Sequence, residues 1–143
     1  MESWHIFANA NQEMVIRIVI AAFVGGIIGY ERARAKKAAG IRTHLLVCMG
    51  AALFTAISIW GFSGSADPSR LAAGVVVGVG FLGAGTILRQ ERGVAGLTTA
   101  AGIWAVVAIG VAIGAGLHVV GAVAAAIVPL ALRFLPHHHP DTD

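Results

Sequence analysis

The residues from Leu71 to Leu88 carry no charged side chain, and this run constrains the fold more than any other feature of the sequence. An apolar stretch of this length can cross the hydrocarbon core of a bilayer as a helix. Its glycines and Ala84 leave little side chain on the helix surface, so another helix can approach closely. The longer stretch 74–99 adds a short charged turn and the Thr98-Thr99 pair. We interpret it as the part of the chain against which the other segments pack.

The composition indicates a membrane protein. Of the 143 residues, 57% are hydrophobic and 12% are charged, whereas charged residues make up about 25% of a typical soluble domain. Basic residues outnumber acidic ones, but they cluster beside apolar runs, where they set membrane orientation. We therefore expect the lipid bilayer as a partner and exclude nucleic acid. Cys48 is the only cysteine, so it cannot form an intrachain disulfide, and we expect it to be buried.

The apolar runs predict an all-α, polytopic bundle of about five transmembrane helices. They cover approximately residues 14–30, 43–62, 71–88, 98–116 and 118–134. The N-terminal residues lack the basic region of a signal peptide, so we expect the first segment to be retained. The predicted organisation is an N-terminal extramembrane segment at 1–13, a transmembrane domain at 14–135 and a short cytosolic tail at 136–143. Pro129 should bend or break the fifth helix near its end.

The distribution of basic residues predicts the orientation. Eight of the ten Lys and Arg residues lie in the first loop, in the third loop or after the fifth segment. These three regions share one side of a five-span bundle, and basic residues are enriched on the cytosolic side. The N-terminus is therefore predicted outside and the C-terminus in the cytosol. Arg17 lies on the opposite side, where it either reaches the outer headgroups or faces a polar pocket in the bundle.

Polar side chains occur at four predicted helix ends on the cytosolic side. Such groups are costly at membrane depth unless they meet partners, so we expect them to form one cluster in which Glu31 is the counter-ion of Arg42. Thr98 and Thr99 are expected to provide an N-cap for the fourth helix, whose free N–H groups could hold an anion. The alternative is a set of helix starts solvated at the headgroups. The candidate cluster comprises Glu31, Arg32, Arg42, Thr43, His44, Arg89, Thr98 and Thr99.

Several glycines are expected to pack helices together. The small-xxx-small pair in the first segment favours a close helix contact, and the stretch 80–86 either packs or lines a cavity or ion path. The candidate packing glycines are Gly25, Gly29, Gly78, Gly80, Gly83, Gly85 and Gly96. The charged turn 89–92 is expected to be solvated, with an inward arginine as the alternative. No metal-ligand spacing, nucleophile motif or Walker motif occurs, so we predict no catalytic residue, no cofactor and no metal site.

Three motifs in a fixed order resemble one known family. They are R-T-H-L-L-V at 42–47, G-x-G-F-L-G-A-G-T-I-L-R at 78–89 and G-L-T-T-A-A-G-I-W at 96–104. Together with the stretch 29–32, they resemble the MgtC/SapB family of bacterial inner-membrane proteins over about residues 15–117. The resemblance implies a non-enzymatic, multi-pass inner-membrane protein involved in magnesium homeostasis, in adaptation to low magnesium and, in some pathogens, in virulence. It also implies action on membrane partners, ATP synthase among them.

The resemblance has two departures. Many members continue into a soluble cytosolic domain resembling an ACT module, whereas the similarity here covers the transmembrane region without that domain. Gly74 also stands where the family favours a polar residue, often glutamine. The alternative function is a small oligomeric ion channel or transporter, although the carboxylate that coupled cation transporters usually need near the midplane is missing. We also expect a homo-oligomer, most simply a dimer, because flat small-residue faces pair well across a two-fold axis.

Overall fold

The computed structural model describes residues 2–61, 67, 69–90 and 93–134, with side chains from residue 11 onward. This part of the chain forms five helices and one small hairpin. The helices are α1 (Glu2–Arg34), α2 (Ile41–Trp60), α3 (Ser69–Ala84), α4 (Leu97–Gly114) and α5 (His118–Phe134). Strands β1 (Leu88–Gln90) and β2 (Gly93–Ala95) pair antiparallel between α3 and α4. The predicted all-α bundle of five helices is confirmed. Within the predicted charged turn 89–92, residues 89 and 90 belong to β1, and residues 91 and 92 lie outside the described residues.

Three helices are long and apolar enough to span a bilayer: α1 from Asn11, α2 and α4. Helices α3 and α5 are also apolar but contain only 16 and 17 residues. About 20 residues are needed to cross a bilayer without tilt or thinning. Helix α1 begins at Glu2, so the predicted extramembrane segment is helical from that residue. The orientation and the domain boundaries stay predictions.

The run that begins at Leu71 is not one helix to Leu88. Helix α3 ends at Ala84, and the amides of Thr86 and Ile87 bond to carbonyls three residues earlier. The Thr86 hydroxyl also donates to the Gly83 carbonyl at 2.8 Å. These tighter turns satisfy the last carbonyls of a helix and stop its propagation. The chain then turns into β1 instead of completing a fifth turn of α3.

Helix α2, and not the stretch 74–99, is the centre of the bundle. The main apolar cluster joins α1, α2 and α4 and includes Ile28, Cys48 and Ile109. Cys48 is fully buried, as predicted. In α3, only Val79 and Gly83 are buried. A run with many glycines can pack closely but offers little side chain to bury, so α3 lies at the edge of the bundle.

Glycines of α1 and of α4 bring both helices close to α2. On α1, a Cβ at Gly25 would lie 2.5 Å from the His44 carbonyl oxygen, and one at Gly29 would lie 2.7 Å from the Ile41 Cα. On α4, a Cβ at Gly114 would lie 2.5 Å from the Ala52 carbonyl oxygen. Cβ atoms in real structures do not approach backbone this closely. The absence of side chains at these glycines therefore sets the spacing of the three central helices.

The connections agree in part with the sequence patterns. Helices α4 and α5 form a tight hairpin, in which Gly116 adopts φ 83° and the Leu117 amide donates to the Ala112 carbonyl at 2.8 Å. The prediction was that Pro129 would bend or break α5; the helix continues through Pro129 to Phe134 without a break, and the bend stays a prediction. Before α3, both the amide and the hydroxyl of Ser69 donate to the Asp67 carboxylate. The Ser69 amide holds the pKa of Asp67 below its ordinary value.

Candidate functional site

Glu31 and Arg32 form an ion pair at the end of α1. The Arg32 Nε donates to one carboxylate oxygen of Glu31 at 2.6 Å, and Nη2 donates to the other at 2.8 Å. The Arg32 side chain is buried, whereas about a quarter of the Glu31 side chain is exposed. Bidentate pairs of this type are strong and fix the orientation of both groups.

Arg32 also reaches the end of α5. Its Nη2 donates to the Leu132 carbonyl oxygen at 3.3 Å. Leu132 lies in the last turn of α5, where carbonyl oxygens lack partners within the helix. A cation is favourable there because the helix dipole leaves partial negative charge at its C-terminus. Arg32 therefore joins the end of α1 to the end of α5.

His44 is fully buried, and it lies close enough to Glu31 and Arg32 for their charges to act on its imidazole. Its Nδ1 lies 3.0 Å from the Gly40 carbonyl oxygen. A carbonyl only accepts hydrogen bonds, so Nδ1 carries the proton and Nε2 is an acceptor. Among the described residues, Nε2 has no hydrogen-bond partner. Glu31, Arg32 and His44 are thus the predicted cluster members that the structure brings together; we call them the Glu31 cluster.

Arg42 is not the counter-ion of Glu31, contrary to the prediction. The carboxylate pairs with Arg32, and Arg42 is exposed. Arg42 and His44 are two residues apart, which corresponds to about 200° of helix rotation. With His44 facing the core, Arg42 must therefore face outward.

The remaining predicted members lie apart from the cluster. Arg89 is exposed on β1, opposite Val94, and Thr43 is half-buried on α2. Thr98 and Thr99 do not cap α4, because Gly96 occupies the N-cap position with φ 91° and both threonines lie within the first turn. Thr98 is exposed and Thr99 is buried. In the described part of the chain, no hydrogen bond or ion pair joins these residues to the Glu31 cluster.

A second buried arginine, Arg17, lies near the middle of α1. Arg17 forms an ion pair with Glu13, donates to the Gly114 carbonyl at 3.0 Å, and lies 4.4 Å from the centre of the Trp60 ring. The Arg17 guanidinium also lies against Gly116. A Cβ added to Gly116 would lie only 2.8 Å from a guanidinium nitrogen. Of the two interpretations from sequence, the structure supports the one in which Arg17 faces a polar pocket in the bundle.

The candidate packing glycines divide into three groups. Gly25 and Gly29 contact α2 closely, and Gly83 makes an ordinary contact with Ala100 of α4. Gly96 has no room for a Cβ beside the Thr86 carbonyl, whereas Gly85 lies near only the carbonyls of its own turn. A Cβ on Gly78 or Gly80 would meet no atom within 4 Å. Neither glycine is therefore packed closely against another described part of the chain.

The sequence analysis missed Gly110 and Gly114. A Cβ at Gly110 would overlap the Cys48 carbonyl oxygen, so these residues, like Gly25 and Gly29, set a helix distance. Their small-xxx-small spacing was the signal that could have identified them. In the described residues, no group of three or more His, Cys, Asp or Glu side chains is placed to hold a metal ion.

The sequence model of the MgtC family matches residues 18–140 of this chain. The chain belongs to the MgtC family. The match includes all five described helices at least in part, along with the Glu31 cluster. With three helices able to span a bilayer, this MgtC-family chain is a membrane protein.

Several curated proteins are similar to this MgtC-family chain. The protein named "Putative magnesium transporter YhiD" of Escherichia coli K12 is 49% identical over 116 residues, covering 76% of this chain and 54% of its own length. "Protein MgtC" of Brucella abortus strain 2308 is 46% identical, covering 76% and 45%. "Protein MgtC" of Salmonella typhimurium strain 14028s is 41% identical, covering 85% and 51%. The chain spans about half the length of these relatives. No solved structure matches it.

Proposed function

We propose that this chain is a non-enzymatic, multi-pass protein of the bacterial inner membrane that acts in magnesium homeostasis and in adaptation to low magnesium. It acts by contact with other inner-membrane proteins, ATP synthase being the partner that the family resemblance implies. The observation that carries the proposal is membership of the MgtC family, in which one relative has a magnesium-related name. Association with virulence and assembly as a homodimer belong to the same proposal.

The charges of the Glu31 cluster favour a contact role over transport of Mg²⁺. The carboxylate of Glu31 is held by two hydrogen bonds from Arg32, and the charge of Arg133 also acts on it. Magnesium prefers carboxylate oxygens and retained water in octahedral geometry. A single carboxylate that is already bound by one arginine and lies under the charge of another is a poor ligand for such an ion. The same groups, fixed at the ends of two helices, are suited to hold a defined surface for a protein partner.

A small oligomeric ion channel or transporter is the second candidate function. The name of the Escherichia coli relative, "Putative magnesium transporter YhiD", favours it. It differs from the first proposal in one measurable property, which is ion flux through a bilayer that contains only this protein.

Two measurements test the proposal: complementation of growth at low magnesium and magnesium flux into liposomes. We expect the chain to restore growth at low magnesium in a bacterium that lacks its own family member. We also expect liposomes that contain the purified protein and a magnesium-sensitive dye to show no more influx than empty liposomes. Influx that depends on the protein would favour the transporter. Failure to restore growth at normal abundance in the membrane would refute both proposals for this chain.

A further inference from the structure

A groove lies on the outside of the bundle between α2 and α3. Its volume is about 430 Å³, and Leu46, Phe54 and Leu82 are among its apolar lining residues. Gly50, Gly74 and Gly78 also line it, and a Cβ on any of them would meet no atom within 4 Å. The described part of the chain therefore leaves this space unfilled.

An arginine stands at each end of the groove. Arg42 precedes Leu46 by four residues on α2, and Arg70 precedes Gly74 by four residues on α3. Residues four apart lie on the same face of a helix. Because α2 and α3 are consecutive and are joined by the short connection 61–68, they run in opposite directions. The two exposed arginines therefore mark opposite ends of one apolar groove.

The surroundings of the two arginines differ. The charge of Arg70 interacts with the carboxylate of Asp67. No carboxylate among the described residues pairs with Arg42, which is exposed in the first turn of α2. An anion from outside the chain would compete with the Asp67 carboxylate at Arg70, whereas no carboxylate of the described residues competes with it at Arg42.

The dimensions suit one hydrocarbon chain. From Leu46 to Phe54 the groove follows eight residues of α2, or about 12 Å at the rise of an α-helix. One leaflet contributes half of the hydrocarbon core, or about 15 Å. Since α2 is long and apolar enough to span the bilayer, the groove is positioned along the acyl chains of the leaflet that begins at Arg42.

We propose that this groove binds an anionic phospholipid, with one acyl chain between α2 and α3 and the phosphate on Arg42. A guanidinium donates two parallel hydrogen bonds to phosphate, which gives geometric selectivity as well as charge attraction. The glycines admit the acyl chain close to the helix backbone. This site is distinct from the Glu31 cluster and does not depend on the proposed role in magnesium homeostasis.

The experiment uses the full chain in nanodiscs of phosphatidylglycerol and phosphatidylcholine, followed by release and native mass spectrometry. We expect phosphatidylglycerol to be retained in preference to phosphatidylcholine. Gly78→Leu should abolish retention, because the new side chain would occupy the groove, and its Cβ would meet no atom within 4 Å. Gly80→Leu is the matched control, since Gly80 has equally open surroundings but does not line the groove. Gly50→Leu fills the groove from α2 and should also abolish retention. This second variant shows that the loss does not come from a change in α3 alone.

Arginine variants test the headgroup. Arg42→Gln should lower retention about fivefold, as expected for one basic residue near an anionic surface, and exposed Arg34→Gln should not. Circular dichroism of each variant reports the fold. Equal retention by Gly78→Leu and Gly80→Leu would overturn the site, and loss with Arg70→Gln alone would overturn the assignment to Arg42. Loss of a dimer mass in Gly78→Leu with lipid retention unchanged would show that a second copy, and not lipid, occupies the groove.

Discussion

The guanidinium of Arg17 on α1 donates a hydrogen bond to the carbonyl oxygen of Gly114, the last residue of α4, 97 residues away in sequence. Arg32, on the same helix, makes the equivalent contact with Leu132 in the last turn of α5. The two arginines are separated by about 22 Å along α1. Because α4 and α5 form a hairpin, their C-terminal ends lie at opposite ends of the bundle. Helix α1 thus places Arg17 at the negative end of the α4 dipole and Arg32 at the negative end of the α5 dipole.

Removal of Arg17 should destabilise the fold. We expect Arg17→Ala to lower the free energy of unfolding by about 2 kcal/mol, because it removes a charged hydrogen bond to a buried carbonyl. The packing against Trp60 is lost as well. Arg34→Ala, at an exposed arginine on the same helix, is the control. Unfolding by heat in detergent, followed by circular dichroism, measures the difference, and equal melting temperatures for the two variants would contradict this role of Arg17.

Gly96→Ala and Gly78→Ala should have opposite effects on stability. Gly96 has φ 91°, and its Cβ would overlap the Thr86 carbonyl. A left-handed conformation alone costs about 1–2 kcal/mol for a residue with a Cβ. Gly78 lies in the interior of a helix in open space, so alanine there should stabilise by about 0.5–1 kcal/mol. The same thermal unfolding assay measures both changes, and a stabilising Gly96→Ala would contradict the left-handed conformation of Gly96 at the start of α4.

Gly114→Ala should separate α2 from α4. The added Cβ would lie 2.5 Å from the Ala52 carbonyl oxygen and 2.8 Å from the Ala52 Cα. Backbone cannot yield as a flexible side chain does, so we expect a loss of about 1–3 kcal/mol, typical of overpacking. Gly80→Ala serves as the comparison, because it adds the same methyl group to an open surface. Similar stability of the two variants would contradict the close contact between Gly114 of α4 and Ala52 of α2.

Loss of Arg32 should disturb function more than loss of Arg42. Arg32→Ala leaves the Glu31 carboxylate and the Leu132 carbonyl without a partner, at a cost of about 1–3 kcal/mol. Glu31→Ala should also impair function, with Glu31→Gln milder because an amide still accepts a hydrogen bond from Arg32. Complementation of growth at low magnesium, with the protein level in the membrane monitored, measures the order. Full complementation by Arg32→Ala and Glu31→Ala at normal abundance would make the cluster a dispensable surface.

The orientation can be tested with reporter fusions. The distribution of basic residues predicts that fusions at Lys37 and Gln90 report the cytosol and that a fusion at Ser65 reports the periplasm. Ser65 lies outside the described residues, and its reporter depends only on its position in the chain. A periplasmic signal at Lys37 would reverse the predicted orientation and place Arg42 in the outer leaflet.

Assembly is a separate prediction. We expect a homodimer in detergent and in lipid, because flat small-residue faces of short helices pair well across a two-fold axis. Native mass spectrometry and chemical crosslinking measure the subunit number. The monomer alone in both media would exclude this arrangement.

The sequence by itself determined the fold class and the family. Apolar runs of helical length indicate a membrane bundle because the hydrocarbon core leaves backbone groups no solvent partner, and helices satisfy them internally. The order of three motifs identified the MgtC family, and the spacing of Gly25 and Gly29 indicated a close contact. These properties are local to a segment, or follow from the order of segments along the chain.

Only the tertiary structure decided which groups meet. Glu31 could have paired with any nearby arginine, and the rotation of α2 turned Arg42 outward while His44 turned inward. The centre of the bundle is α2 because glycines distant in sequence, Gly25 and Gly114, approach it from two sides. The contacts of Arg17 and Arg32 with the ends of α4 and α5 join residues 97 and 100 positions apart. A helix repeats its own faces every few residues, but which face meets a partner depends on how all the helices pack together.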